Sequence, residues 1–300
     1  MQKKEIPFNK FYKLFNIASI SLIIFSVFLL FFKGLNYGVD FKGGTLIELR
    51  ANDEQITISK LRQSLMNINL GDVSVKQFGN KNDYLIKFEK KDKDNPNLIG
   101  DIKESLTKSL SSSFEFRRVE SVGPKVSNEL LKSGIIAIAL SLGAMLIYIW
   151  IRFEWQFSLG AITAVFHDVV ITLGFFSLLN FEINLSIVAA VLTIVGYSMN
   201  DTVVIFDRVR ENLKKYSDIK IFEITNISIN ETLSRTIITS ATTLLALLSI
   251  FIFGGAILKG FSFAMILGVV VGTYSSIYIA NPILVRLNVS QKTILKEEKE

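Results

Sequence analysis

Residues 183–206 read INLSIVAAVLTIVGYSMNDTVVIF. The stretch is predominantly apolar and carries one charged residue, Asp201. A helix needs about 20 apolar residues to cross a hydrocarbon core, so this segment predicts a membrane span. Outward from it, the chain repeats the pattern. Apolar blocks occupy roughly 134–151 and 157–180 upstream and 236–253 and 261–285 downstream, and another runs from Leu14 to Phe32. None has a proline near its middle, and Pro282 lies at the end of the last.

The first block could be read as a secretory signal. Such cores are about 7–15 residues long and end at small residues. This one ends in Phe31-Phe32, so it predicts a retained helix, making six spans in all. Over 300 residues, 50% are hydrophobic and 20% charged, with the charges lying between the blocks. That distribution excludes an ordinary soluble enzyme. The net charge of +6 would raise nucleic-acid binding in a soluble chain, but cytoplasmic loops of membrane proteins accumulate Lys and Arg. With no Cys, thiol catalysis, disulfides and Cys-ligated metals are out, and a single His rules out a His-rich metal cluster. The reading is therefore not an enzyme, with no cofactor and no metal.

Basic residues set the orientation. With the N-terminus inside, the inside segments hold Lys3, Lys4, Lys10, Lys13, Arg152, Arg208, Arg210, Lys214, Lys215, Lys220, Arg235, Arg286, Lys292, Lys296 and Lys299. The two short outside loops hold only Lys259. Trp150 and Trp155 flank the turn at Arg152, where interfacial aromatics belong. The expected organisation is 1–33 for the N-terminus and first span, 34–133 for an extracytoplasmic domain, 134–285 for a five-span bundle with a cytoplasmic loop at 207–235, and 286–300 for a cytoplasmic tail. The loop mixes basic and acidic residues and predicts one or two amphipathic surface helices.

The outside domain alternates strand and helix patterns. Gly38–Arg50 contains the strand Thr45–Leu49, and Ile58, Leu61, Leu65 and Ile68 share a helical face. Strands are predicted at Val73–Phe78 and Tyr84–Phe88, joined by a turn over Gly79–Asp83. Leu98, Ile102, Leu106 and Leu110 mark a second helix, and Phe114–Val119 a last strand. The order β-α-β-β-α-β predicts a ferredoxin-like α+β sandwich used for binding or docking. Gly43-Gly44 permits a turn or a close backbone approach. It lacks the Lys-Ser/Thr ending of a phosphate loop.

Ionisable groups inside spans are functional candidates. His167 and Asp168 lie roughly 15 Å deep at the helical rise, near mid-membrane. A proton relay and a structural polar contact are both open for them. Thr193, Tyr197 and Asp201 recur every four residues on one face, with Asn200 beside them. Asp201 sits about 7 Å from the inner end, either as a functional carboxylate or reaching the headgroups. Arg235 opens the fifth span one turn before Thr239, either as an interface anchor or as the partner of Asp201. Antiparallel succession of spans four and five predicts an Asp201–Arg235 ion pair. Gly268 and Gly272 allow close helix packing in the last span.

The motifs Gly38–Thr45, Ser121-Val122-Gly123-Pro124, Phe157-Ser158-Leu159-Gly160-Ala161, His167-Asp168-Val169, Gly196–Asn212, Arg235-Thr236 and Thr239-Ser240 together resemble the SecF family of bacterial protein-export membrane proteins. The resemblance covers nearly the whole chain, and the Gly-Tyr-Ser-x-Asn-Asp-Thr run at residues 196–202 carries most of it. It implies a polytopic α-helical membrane protein, six transmembrane helices forming an RND-like half, in the bacterial inner membrane. It implies a SecD partner, association with the SecYEG channel, and help to a translocating preprotein driven by protons. It implies functional roles for Asp201, Arg235 and Thr239 in ion coupling, with Asn200, His167 and Asp168 carried over more loosely. Two other readings are an RND-type small-molecule efflux transporter and a non-conducting assembly subunit. The first expects two six-span repeats in one chain, and the intramembrane polar cluster argues against the second.

Overall fold

The computed structural model describes residues 5–53, 56–66, 70, 73–77, 81–88, 98–110, 112–216 and 218–297. Ile68, Phe78, Gly79, Asn80, Lys3, Lys4 and Lys299, each used above, lie outside the described residues. In chain order the elements are α1 Tyr12–Phe32, β1 Asn36–Tyr37, α2 Val39–Lys42, β2 Gly44–Ala51, α3 Ile58–Met66, β3 Val73–Gln77, β4 Asp83–Phe88, α4 Leu98–Leu110 and β5 Phe114–Val122. They continue with α5 Pro124–Arg152, α6 Trp155–Leu179, β6 Glu182–Ile183, α7 Leu185–Lys215, α8 Ile221–Phe253, α9 Gly255–Ser275, a π-turn Ser276–Ala280, α10 Asn281–Arg286 and α11 Gln291–Glu297. The chain divides into two compact units, residues 37–135 and residues 1–36 with 136–300.

In the smaller unit the sheet order is β3-β4-β2-β5, all antiparallel. With α3 and α4 between the strands, this is the ferredoxin-like arrangement. The two helices bury Leu61, Leu65, Ile102 and Leu106 against Ile47, Leu49 and Ile86 of the sheet. That is the pattern expected when each helix presents one apolar stripe to a sheet face. Asp83 opens β4 rather than ending a turn. It stands opposite Arg50 and receives Nε at 2.6 Å and Nη2 at 2.8 Å, a two-pronged pair. Gly43 and Gly44 both take positive φ, +77° and +119°, between α2 and β2. A side chain at either position would be strained there, which accounts for adjacent glycines.

Among the described residues, six helical segments are long and apolar enough to span a membrane, Phe8–Phe32, Lys125–Arg152, Trp155–Leu179, Leu185–Lys215, Ile221–Phe253 and Leu258–Arg286. Among them α6, α7 and α9 form the centre, with half or more of their apolar stretches buried, against 11% to 17% for α1, α5 and α8. Local chemistry explains the ends. Asn184 caps α7 by accepting from the Ile187 amide at 3.2 Å. Asn180 closes α6 in the left-handed region at φ 55°. Pro282 has no N–H for the Tyr278 carbonyl four residues back, and the chain there relaxes into the π-turn. The Asn16 side chain of α1 donates to that carbonyl at 3.2 Å instead.

One expectation is corrected. The 207–235 segment is not a pair of separate surface helices. α7 continues to Lys215 and α8 begins at Ile221, so the segment is mostly the two spans running on. No proline or glycine interrupts residues 207–235, and polar bonds between the two extensions hold them together.

Candidate functional site

His167 is the middle residue of α6, and both His167 and Asp168 are fully buried. The Asp168 carboxylate is met from three sides. Oδ1 lies 2.8 Å from His167 Nδ1, while Oδ2 accepts from Ser198 Oγ of α7 at 2.5 Å and Ser275 Oγ of α9 at 2.7 Å. Charge-assisted bonds of this kind are what allow a carboxylate to sit in an apolar interior. Among the described residues His167 Nε2 is buried without a hydrogen-bond partner, and its ring stacks on Tyr274 at 5.9 Å between centroids. The Tyr274 hydroxyl donates to the Phe15 carbonyl at 2.8 Å and meets Ser19 at 2.7 Å, so α1 joins the cluster.

Asp201 is buried one turn further along α7, at 4% exposure. It accepts from Thr273 Oγ1 of α9 at 3.3 Å, and Thr273 in turn meets Ser240 of α8 at 2.8 Å. Among the described residues no ion pair joins Asp201 to Arg235, which corrects the expected contact. Arg235 is exposed on α8. The reason is α9, which supplies a neutral hydroxyl from the interior side. Thr239 offers its backbone carbonyl to the Tyr197 hydroxyl at 3.2 Å, and the same hydroxyl reaches Thr243 Oγ1 at 3.2 Å. Asn200 and Thr193 face outward, so Thr193, Tyr197 and Asp201 do not share one environment.

The two carboxylates are joined by a run at the end of α9 and the start of the π-turn that sequence reasoning passed over. Thr273 serves Asp201, Ser275 serves Asp168, and Ser276 meets Thr202 of α7 at 2.7 Å. The available signal was four consecutive hydroxyl residues, Thr273 to Ser276, inside an otherwise apolar block. The glycines explain how such short side chains reach across. A Cβ on Gly272 would stand 3.0 Å from Ser198 Cβ, and one on Gly268 would stand 2.3 Å from Ile194 Cγ1. Small residues at this seam let the α7 and α9 backbones approach.

Residues 102–290 match the family model described as "Protein export membrane protein SecD/SecF, C-terminal", and residues 28–54 match "SecD/SecF GG Motif". The chain is 46% identical over 283 residues to a protein translocase subunit SecF of Rickettsia bellii, covering 94% of this chain and 93% of that one. It is 42% identical over 299 residues to the SecF of Vibrio alginolyticus, covering 99% and 95%. Among solved structures it resembles SecDF from Thermus thermophilus, a translocon-associated membrane protein, with a TM-score of 0.85 and 36% identity over 95% of this chain. It also resembles SecDF in a super-membrane-facing form, with a TM-score of 0.70 and 34% identity over all of this chain. The chain spans 39% and 40% of the length of those two SecDF chains.

Proposed function

The chain belongs to the SecD/SecF family of protein-export membrane proteins, and from that membership we propose that it is a SecF-type accessory subunit of Sec-dependent export. It works with a SecD partner in the bacterial inner membrane, beside the SecYEG channel, and assists the movement and release of preproteins. Both termini are cytoplasmic and residues 34–133 lie outside, as the Lys and Arg distribution favours. Protons moving down their gradient supply the drive, and the chain acts as a transport component with no chemical step of its own.

The observation that carries the coupling role is a buried carboxylate, Asp201, with one neutral hydroxyl within bonding distance and a cation, Arg235, on the next helix. A proton on Asp201 removes its charge and leaves the Thr273 contact sufficient. Loss of the proton leaves an ion whose burial is costly until a counter-ion closes on it. Arg235 is that counter-ion, so each cycle moves α8 relative to α7, with Thr239 and Asn200 on the faces that shift. One charge crossing 100 mV releases about 2.3 kcal/mol, enough to bias a two-state arrangement substantially. His167 and Asp168 form the second coupling element, reached through the α9 hydroxyls.

Asp201→Asn is expected to abolish gradient-dependent export while the SecD complex still assembles. Export at the wild-type level in that variant, measured in inverted membrane vesicles, removes the coupling role. Co-purification of SecD and SecYEG with the tagged chain checks the partners, and recovery of neither overturns them.

A further inference from the structure

The run Asp207-Arg208-Val209-Arg210-Glu211-Asn212 has no part in the coupling chemistry, yet its polar side chains are bonded outward to other helices. Asp207 Oδ1 takes Arg152 Nη2 of α5 at 2.9 Å. Arg210 Nη2 reaches Glu154, the buried N-cap residue of α6, at 3.1 Å. Arg208 Nε reaches Glu231 Oε2 of α8 at 2.7 Å, steadied by Glu211 on its own helix at 2.5 Å. Asn212, itself buried, donates to the same Glu231 oxygen at 2.7 Å and lies 2.9 Å from Ser228 Oγ. Val209 and Leu213 point into the core between these arms.

Isolated surface ion pairs stabilise little. Here the geometry matters more than the strength, because two side chains one turn apart on α7 grip one oxygen on α8. Arg208 is seven residues beyond Asp201, roughly 10 Å along α7, and Glu231 is four residues before Arg235, roughly 6 Å along α8. The helices run antiparallel, so the grip lies just past the level of the coupling pair on the same side.

We propose that Arg208 and Asn212, acting through Glu231, are positioning residues that set the α7–α8 separation at which Asp201 and Arg235 close. This rests on the coupling role proposed above. The clamp is the fixed end of the two helices, and the hydroxyl-lined stretch above it is the part that moves.

The test uses the assembled complex with its SecD partner. Arg208→Glu, Glu231→Arg, the exchange of both, and the milder Glu231→Gln are compared for preprotein export in inverted vesicles. Because the chain has no cysteine, spin labels at Val204→Cys and Ile238→Cys report the α7–α8 distance in the same variants. Each single reversal is expected to lower export about tenfold or more and to shift the label distance. The exchange is expected to restore export to within about threefold and to return the distance. Glu231→Gln keeps an acceptor for Asn212 and gives a smaller loss of the same kind, so the test stands if a reversal fails to assemble. Wild-type export and distance in all singles, or loss of export with an unmoved distance, overturns the clamp. Asp201→Asn in the same vesicles separates the two ideas. If it exports normally the coupling role falls, and if it is inactive while the clamp variants behave as wild type only the clamp falls.

Discussion

Asp168 and Asp201 are both buried carboxylates, but their surroundings differ in kind. Asp168 has an imidazole and two hydroxyls within bonding distance, and Asp201 has one hydroxyl at 3.3 Å. A group held on several sides resists rearrangement, and one held weakly is free to exchange partners. Under the coupling role proposed above, Asp201 is the group that switches and Asp168 the one that holds. Asp168→Asn keeps the shape and an oxygen for Ser198 and Ser275 but removes the charge. Export is expected to fall about tenfold or more with SecD still bound, since one lost charge-assisted bond alone is worth about 1–3 kcal/mol. Normal export in Asp168→Asn, assayed beside co-purification, would make the cluster a structural polar contact. The mid-helix position of His167 and Asp168 was legible from counting residues along one helix. Their partners were not, because Ser198 and Ser275 stand 30 and 107 residues away and pairing across helices leaves no local pattern.

At the level of the elements, the close seams are set by glycines, and they differ in what a methyl group would strike. At Gly174 of α6 an added Cβ would lie 2.3 Å from Ser26 Oγ and 2.9 Å from Ser26 Cα, so the α1 backbone itself is in the way. At Gly268 the nearest atoms belong to the side chain of the buried Ile194 and not to any backbone. At Gly143 of α5 there is nothing within 4 Å. Gly174→Ala should therefore lower stability most, by about 1–3 kcal/mol, Gly268→Ala less, and Gly143→Ala hardly at all. Thermal unfolding of the purified chain in detergent checks the order, and equal effects at the three sites would show that these contacts do not set the packing. The helices themselves could be read from hydropathy, because lipid contact demands unbroken apolar runs. The continuation of α7 and α8 beyond their apolar stretches could not. Their extensions mix polar and apolar residues, with Val209, Leu213, Ile224 and Ile229 in the core and Arg208 and Asn212 paired with Glu231 across the two helices.

Taken as a whole, the six-helix unit is unfinished on one side. On α7 the residues Ala189, Thr193, Gly196 and Asn200 are spaced three to four apart and all are exposed, and nothing lies within 4 Å of where a Gly196 side chain would start. A stripe of small and polar residues midway along an apolar helix is poorly matched to lipid and well matched to another helix. Arg235 is exposed on the neighbouring α8, which adds a charge to the surface needing cover. The SecDF chains that this protein resembles are more than twice as long, so a SecD partner of comparable size is the natural second wall. Gly196→Leu places a bulky side chain in space that is open in this chain alone. It should leave thermal stability of the isolated chain unchanged and lower SecD recovery on co-purification about tenfold or more, since overpacking an interface costs about 1–3 kcal/mol. The same change at Gly143 serves as the comparison, because it also meets open space but carries no polar stripe beside it. Full SecD recovery with Gly196→Leu would place the partner elsewhere on the bundle. Asn200 and Arg235 would then have to be covered by some other helix, or the coupling pair would have to work while facing lipid, which the cost of an exposed intramembrane charge opposes.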